Sequence, residues 1–174
     1  HMSRYPVTNA QFAPFIAAGG YNTERYWTPA GWEARQKENW TEPRYWGDPT
    51  LNLSNHPVVG VSWYEAYAYT QWLSALTGQT IHLPTEQQWE KAARGTDGRV
   101  YPWGDEWDET LCNNGKTGIG RTSAVGCFPG GTSPYGLHDM SGNVWEWCLT
   151  AYNDGSNDVN RTDERVLRGG SWDI

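Results

Sequence analysis

The sequence predicts a single mixed α+β domain in which helices come first and short irregular strands follow. Residues 8–94 contain helix-start signals followed by apolar residues at helical spacing, and this spacing disappears after Gly95. Beyond that point Gly, Asn, Asp and Pro divide the chain into short segments. With 174 residues, 12 Trp and 10 Tyr, the chain is large and aromatic enough to bury a core, although only 37% of it is hydrophobic.

Three of the four predicted helices start with a capping box, in which a hydroxyl residue is followed three positions later by Glu or Gln. These boxes are Thr8 to Gln11, Ser62 to Glu65, and Thr85 to Gln88. Glycines at positions 19, 78 and 95 are predicted to end the three helices. The apolar faces predicted to pack in the core are Phe12, Phe15 and Ile16; Ala66, Tyr69, Trp72, Leu73 and Leu76; and Trp89, Ala92 and Ala93.

The segment between the first two capping boxes is rich in Trp, Pro and charge. Thr28 followed by Pro29 predicts a further helix that extends to about Glu38. The tryptophans of this segment are predicted to pack over the core, with exposure as a binding surface as the alternative; they are Trp27, Trp32, Trp40 and Trp46. Residues 57–61 (Pro-Val-Val-Gly-Val) are interpreted as a short buried strand.

The net charge of −7 and the scattered Lys and Arg residues argue against binding to nucleic acid or to an anionic membrane. Neither a membrane-spanning apolar run nor a secretory signal is recognisable, so we expect a cytoplasmic protein. Residues 1–2 (His-Met) are interpreted as a cloning scar, which leaves residues 3–174 as the domain. Cys112, Cys127 and Cys148 have no metal-site spacing and are expected to be reduced thiols, with one disulfide as the alternative.

Residues 136–147 have the composition of a site for a hard cation. Asp139 and Glu146 flank a Gly-Asn turn, so carboxylate and turn carbonyl oxygens lie within eight positions of one another. Oxygen ligands of both kinds are those that calcium prefers. A second distinctive segment, Arg-Val-Leu-Arg-Gly-Gly-Ser-Trp, follows at residues 165–172.

Six segments together give the chain its resemblance to the formylglycine-generating enzyme family, also called sulfatase-modifying factor domains. They are residues 6–9, 57–63, 83–95, 101–104, 139–147 and 167–172. They occur in the order typical of the family and span nearly the whole chain. The resemblance implies a C-type-lectin-like fold with little regular secondary structure.

The same resemblance implies a structural calcium site formed by the side chains of Asp139 and Glu146 and the carbonyls of Gly142 and Val144. The alternative is that Asp139 caps a turn and Glu146 pairs with an arginine. The family's second site would use the Asn113 side chain and the carbonyls of Asn114 and Ile119. There an uncharged residue, Thr117, stands near the usual acidic ligand, so an ordinary Asn-Gly turn is an equal alternative.

The resemblance also predicts what the chain lacks. The catalytic, copper-binding cysteine pair of the family's oxidases follows the Gly-Gly-Ser-Trp segment, and no cysteine follows it here, so copper is not expected. We therefore expect a non-catalytic module that binds a protein or a small molecule. Variable proteins of bacterial diversity-generating retroelements are modules of this kind. The binding surface would include Arg168, Trp172 and Asp173.

Two alternatives to this function stay open. The chain could be a fragment of a copper-dependent oxidase that converts a substrate cysteine to formylglycine, or a regulatory domain beside a protease or kinase. Under all three interpretations the domain is expected to be truncated at its C-terminus. A complementing C-terminal segment, or further domains of the parent protein, would then be its partners.

Overall fold

The computed structural model describes residues 1–174 and confirms the predicted α+β class. The elements are helices α1 (Asn9–Ala17), α2 (Pro29–Glu38), α3 (Trp63–Thr77) and α4 (Glu86–Arg94), followed by strands β1 (Glu146–Ala151) and β2 (Arg165–Arg168). Four short 3₁₀ turns and long loops make up the connections. No helix is long and apolar enough to cross a membrane.

All four predicted helices are confirmed because their end signals act locally. In each capping box the hydroxyl accepts from the third backbone N–H, and the Glu or Gln side chain accepts from the N-cap N–H. Thr28 caps α2 by accepting from the backbone N–H of Gly31, with Pro29 in the first turn. At the other end, α3 stops at Gly78, which adopts the left-handed conformation.

The predicted strand at residues 57–61 is wrong. Only an isolated bridge between Thr8 and Pro57 forms there, supported by a 2.9 Å hydrogen bond from Val58 N to the Val7 carbonyl. Gly60 has a φ of +73°, which turns the chain out of an extended path before α3 begins. Leu76 was also placed wrongly in the core, since it is 66% exposed in the last turn of α3.

The only sheet is an antiparallel pair of strands, β1 and β2. Glu146 lies opposite Arg168 and Trp147 opposite Leu167, and the register then shifts before Ala151 meets Arg165. The remaining segments after Gly95 are turns and loops rather than the several short strands that the sequence suggested. The sheet therefore positions the 139–147 segment beside the Gly-Gly-Ser-Trp segment.

Two separate apolar clusters form the core. The first core joins α1 to α3 through buried aromatic residues and Ala68: Phe12, Phe15, Tyr21, Tyr26, Trp27, Tyr69 and Trp72. Trp32, Trp40 and Trp46 pack against it, which confirms that the tryptophan-rich segment covers the core. The second core packs α4 on the sheet and the loop before it: Trp89, Ala93, Leu137, Met140, Cys148 and Val166.

Candidate functional site

The predicted calcium ligands Asp139 and Glu146 each accept one hydrogen bond and form no ion pair. Asp139 has a φ of +59°, and its Oδ2 accepts from the backbone N–H of Gly126 at 2.8 Å. Glu146 Oε2 accepts from the indole N–H of Trp89 at 2.6 Å. Of the two alternative roles, Asp139 contacts the turn at Gly126 through this single hydrogen bond, whereas Glu146 forms no ion pair with an arginine.

No positively charged side chain forms an ion pair with Asp139 or Glu146, so the two carboxyl groups disfavour each other's ionisation. Burial raises the pKa of Glu146 to about 7, and the nearby Asp139 adds to the shift. Burial also raises the pKa of Asp139 above its ordinary value. The pKa of Cys148 rises to about 12, from burial first and then from the charge of Glu146. A bound cation would relieve this repulsion, so the donor set fits the calcium that the family implies.

No group of three or more His, Cys, Asp or Glu side chains is arranged to hold a metal ion. A cation at Asp139 and Glu146 would therefore depend on backbone carbonyls, as the prediction of Gly142 and Val144 requires. The Gly142 carbonyl accepts from the Val144 N–H at 2.9 Å, and the Gly142 N–H donates to the Gly169 carbonyl at 2.7 Å. These bonds hold the turn against the Gly-Gly-Ser-Trp segment, and the four-residue ligand set stays a prediction.

Gly142 is the point at which this turn tolerates no side chain. It has a φ of +77°, and a Cβ there would lie 2.2 Å from the Asn113 carbonyl oxygen. We expect Gly142→Ala to lower the free energy of unfolding by about 3 kcal/mol, since backbone strain and a clash add. Gly136→Ala is the control, because its φ of +76° is similar and nothing lies within 4 Å. Equal losses in urea denaturation would contradict this.

The second predicted site is closed by hydrogen bonds. The Thr117 hydroxyl lies 3.1 Å from Asn113 Oδ1 and 2.8 Å from the Asn114 carbonyl oxygen, two of the predicted ligand oxygens. Ile119, the third predicted ligand, is 40% exposed. This arrangement is that of an Asn-Gly turn, so calcium at Asn113, Asn114 and Ile119 stays a prediction without further support.

Sequence reasoning missed the residue that ties these two loops together. Asn143 is fully buried with a φ of +66°. Its Oδ1 accepts from Asn113 Nδ2 at 3.2 Å and from the Ser123 N–H at 2.9 Å. Its only sequence signal was its position after Gly142 in the Gly-Asn turn. Asn143 thus fixes the distance between the two predicted cation sites.

Two of the predicted ligand-binding residues Arg168, Trp172 and Asp173 already have partners within the protein. Arg168 pairs with two carboxylates of α4, Glu86 at 3.2 Å and Glu90 at 3.0 Å. Asp173 accepts a short hydrogen bond from the Ser171 hydroxyl. Trp172 is partly exposed. A binding role for this surface stays a prediction, and its arginine is already neutralised.

A groove that the sequence did not indicate lies on the other side of the sheet. We call it the aromatic groove. It contains a cavity of about 280 Å³ lined by Trp40, Ser62, Trp63, Tyr64, Trp147 and residues 161–165. A cavity of about 470 Å³ adjoins it, shares Trp40 and Ser62, and is also lined by Glu42, Arg44, Tyr45 and Glu65. Trp40, for which the sequence offered a binding surface as the alternative role, lines both cavities, whereas Arg168, Trp172 and Asp173 line neither.

Arg165 contributes an unpaired positive charge to the aromatic groove. Its residue is 8% exposed, and its guanidinium donates to the backbone carbonyls of Leu149, Asp158 and Arg161 at 2.7–2.9 Å. The guanidinium carbon lies 4.2 Å from the ring centroid of Trp63. Burial lowers the pKa of Arg165, and no carboxylate forms an ion pair with it.

Comparison with known proteins gives one family. The chain matches the sulfatase-modifying factor enzyme 1-like domain over residues 1–173. It is 38% identical over 200 residues to a hercynine oxygenase of Mycobacterium tuberculosis, which covers 99% of this chain and 45% of that protein. It is 38% identical over 185 residues to a formylglycine-generating enzyme of Thermomonospora curvata, which covers 84% of this chain and 58% of that protein.

Among solved structures, variable protein 1 of Treponema denticola matches with a TM-score of 0.66 at 22% identity, over 97% of this chain and 72% of that one. At this identity the likeness shows a shared fold alone. The chain spans about half the length of the curated oxygenases that it matches. The match over residues 1–173, with the relatives at 38% identity, shows that this chain belongs to the sulfatase-modifying factor family of formylglycine-generating-enzyme-like domains.

Proposed function

We propose that this chain is a non-catalytic ligand-binding domain of a larger protein and that the aromatic groove holds its ligand. The observation that carries the proposal is the groove itself. Trp40, Trp147 and Tyr64 line an open cavity beside a buried guanidinium with no carboxylate partner. Apolar walls with a few oriented polar groups are typical of small-molecule sites.

The thiols support a non-catalytic role. Nucleophilic and metal-binding chemistry needs the thiolate, and copper(I) prefers two thiolates held together. Cys112 and Cys148 are buried with raised pKa values, and burial is the first cause in both. Cys127 is exposed, and all three are free.

Further domains of the parent protein are the proposed partners, because the oxygenase relatives are about twice as long as this chain. The binding domain could also be diversified in the manner of retroelement variable proteins, with which it shares its fold. The sequence of the parent gene after the codon for Trp172 tests whether the domain is diversified. Codons for Asn, Tyr, Ser and Asp clustered after Trp172 would support diversification, whereas paired Cys codons would contradict it.

Calcium is the proposed structural ion, held by the side chains of Asp139 and Glu146 and the carbonyls of Gly142 and Val144. The support is the unpaired state of both carboxyl groups and the raised pKa that burial gives each of them. Because the ion would hold the turn beside the Gly-Gly-Ser-Trp segment, its proposed role is stability rather than chemistry.

Filling the groove tests the binding proposal. Thr162 is exposed and lines the cavity, so Thr162→Trp should block it without disturbing the core. Lys37→Trp is the matched control, since Lys37 is exposed on α2 and lines neither cavity. In a fragment screen by nuclear magnetic resonance, compounds that shift the indole signals of Trp40 or Trp147 should lose binding in Thr162→Trp and keep it in Lys37→Trp. Hits insensitive to Thr162→Trp would overturn the proposal.

A second candidate function is one half of an oxygen-dependent enzyme, and the 38% identity to a hercynine oxygenase favours it. The parent protein would be tested for oxygen consumption with hercynine. With copper added, it would also be tested for aldehyde formation in a Cys-x-Pro-x-Arg peptide by mass spectrometry. Turnover in either assay would replace the non-catalytic proposal, and its absence in a folded, metal-loaded parent would support binding.

A further inference from the structure

We propose that the ligand of the aromatic groove is a small zwitterion of the amino-acid class, with its carboxylate toward Arg165 and its ammonium toward Trp40, Trp147 and Glu164. This inference rests on the proposed binding function and specifies its ligand. It follows from which charges of the groove are already paired and which ring faces are already covered.

The carboxylate end is assigned by Arg165. Its guanidinium is neutralised by no carboxylate, and its bonds to three backbone carbonyls hold it in a fixed orientation. The Nε makes no hydrogen bond within the protein and keeps some contact with solvent, which leaves a donor available to a ligand. A desolvated guanidinium with a free donor binds a carboxylate strongly. By contrast, Arg161 is already paired with Asp154 and Asp163.

The ammonium end is assigned by the two partly exposed tryptophans of the cavity. The Trp63 ring is stacked with Tyr67 at 5.4 Å and is also covered by Arg165, so it offers a ligand little. Trp147 and Trp40 line the cavity and stack with no other ring, and Trp40 also packs against the first core. Tryptophan faces attract organic cations.

Carboxylates at the rim act in the same direction. Glu164 lines the cavity and Glu42 lines the adjoining one, and both are exposed without an ion pair. Arg44, which is also exposed and forms no ion pair, lines the adjoining cavity beside Glu42. The charged groups without an ion-pair partner around the two cavities are therefore of both signs. A zwitterion matches both signs, whereas a simple anion or a simple cation matches only one.

The size of the cavity limits the ligand to a small molecule. About 280 Å³ is just below the range of about 300–1,000 Å³ that is typical of small-molecule sites. An amino acid with one ring suits this volume, and the ring can pack on the tryptophans.

Three probes with one carbon skeleton test the assignment on the 174-residue chain. L-Phenylalanine carries both charges, phenethylamine only the ammonium, and 3-phenylpropionate only the carboxylate. We expect L-phenylalanine to shift the indole N–H signals of Trp40 or Trp147 and the Nε–H signal of Arg165, with a Kd at least about tenfold below those of the other two probes.

Variants separate the two ends of the site. Glu164→Gln should weaken L-phenylalanine by about threefold to tenfold and leave 3-phenylpropionate unchanged or bound more tightly. Arg165→Lys should weaken the binding of the two probes that carry a carboxylate and leave the binding of phenethylamine unchanged. The far-ultraviolet circular dichroism of this variant checks that its fold is retained. Glu38→Gln, an exposed residue of α2 outside both cavities, is the charge-matched control and should change nothing.

The outcomes distinguish this inference from the function on which it rests. If either single-charge probe binds as tightly as L-phenylalanine, or if none of the three shifts a groove signal, the zwitterion is wrong. The proposed binding function itself survives such a result when other fragments bind the wild type and lose binding in Thr162→Trp. It fails only when no fragment is sensitive to that substitution.

Discussion

Glu65→Ala should lower the free energy of unfolding by about 3–5 kcal/mol, one of the largest losses expected for a single substitution in this chain. Glu65 is 4% exposed, and it accepts from the Tyr21 hydroxyl and from the Ser62 backbone N–H, both at 2.6 Å. Alanine leaves the buried Tyr21 hydroxyl and the partly buried Ser62 N–H without this acceptor and opens a cavity beside the first core. Urea denaturation followed by circular dichroism measures the loss.

Two variants serve as controls for this prediction: the single variant Tyr21→Phe and the double variant that combines it with Glu65→Ala. Tyr21→Phe combined with Glu65→Ala should cost less than the sum of the two single changes, because the buried donor and its acceptor are then removed together. A loss below about 1 kcal/mol for Glu65→Ala would contradict the role of this hydrogen bond.

The pH dependence of Glu65 gives an independent check with a definite sign. Burial raises the pKa of Glu65 in the folded protein, so the folded state keeps this proton at pH values where the unfolded chain has lost it. The stability that results is complete below the unfolded pKa and is lost as the pH rises through the folded pKa. Glu65→Gln should reduce this decline, as measured by the urea midpoint between pH 4 and pH 8.

Glu146→Gln should raise the stability of the protein in the absence of calcium and lower it, relative to the wild type, in the presence of calcium. In chelator at pH 8, the variant should be more stable than the wild type by up to about 3 kcal/mol, because burial and Asp139 raise the pKa of Glu146 to about 7. The glutamine Oε1 can still accept from the Trp89 indole. In calcium, the wild type should gain about 3 kcal/mol at a hundredfold excess over Kd, and the variant little.

Thermal denaturation in chelator and in calcium measures both effects. Glu38→Gln serves as the control, because Glu38 is an exposed residue at the end of α2 and contributes no predicted calcium ligand. A wild type that does not respond to calcium would contradict the proposed ion. A variant that is less stable than the wild type in chelator would contradict the repulsion between Glu146 and Asp139.

Sequence reasoning succeeded where structure is determined locally. The helix ends were predictable because a capping box and its glycine lie within one helical segment, as at Ser62, Glu65 and Gly78. The strand at residues 57–61 was wrong because Gly60 adopts a positive φ that an apolar pattern does not reveal. Leu76 has helical spacing but lies in the last turn, beyond the surface that the rest of the domain covers.

The candidate sites were predictable to different degrees for the same reason. Asp139 and Glu146 lie within one short segment, so their composition alone indicated a cation. The aromatic groove combines Trp40, Trp63, Trp147 and Arg165, which are far apart in sequence and meet only in the fold. Resemblance supplied the residues of the C-terminal surface, but it could not show that Arg168 pairs with α4.

The division of the interior into two clusters has a consequence for how the chain acquires its structure. The first core joins α1 to α3 across 57 positions, as from Phe12 to Tyr69, and the second core joins α4 to residues 137–166 across 44 to 77 positions. Contacts of similar sequence separation carry a similar loop-closure entropy. Neither core is therefore favoured to form first, and we expect the amides of α1, α3 and β1 to become protected from hydrogen exchange together during refolding.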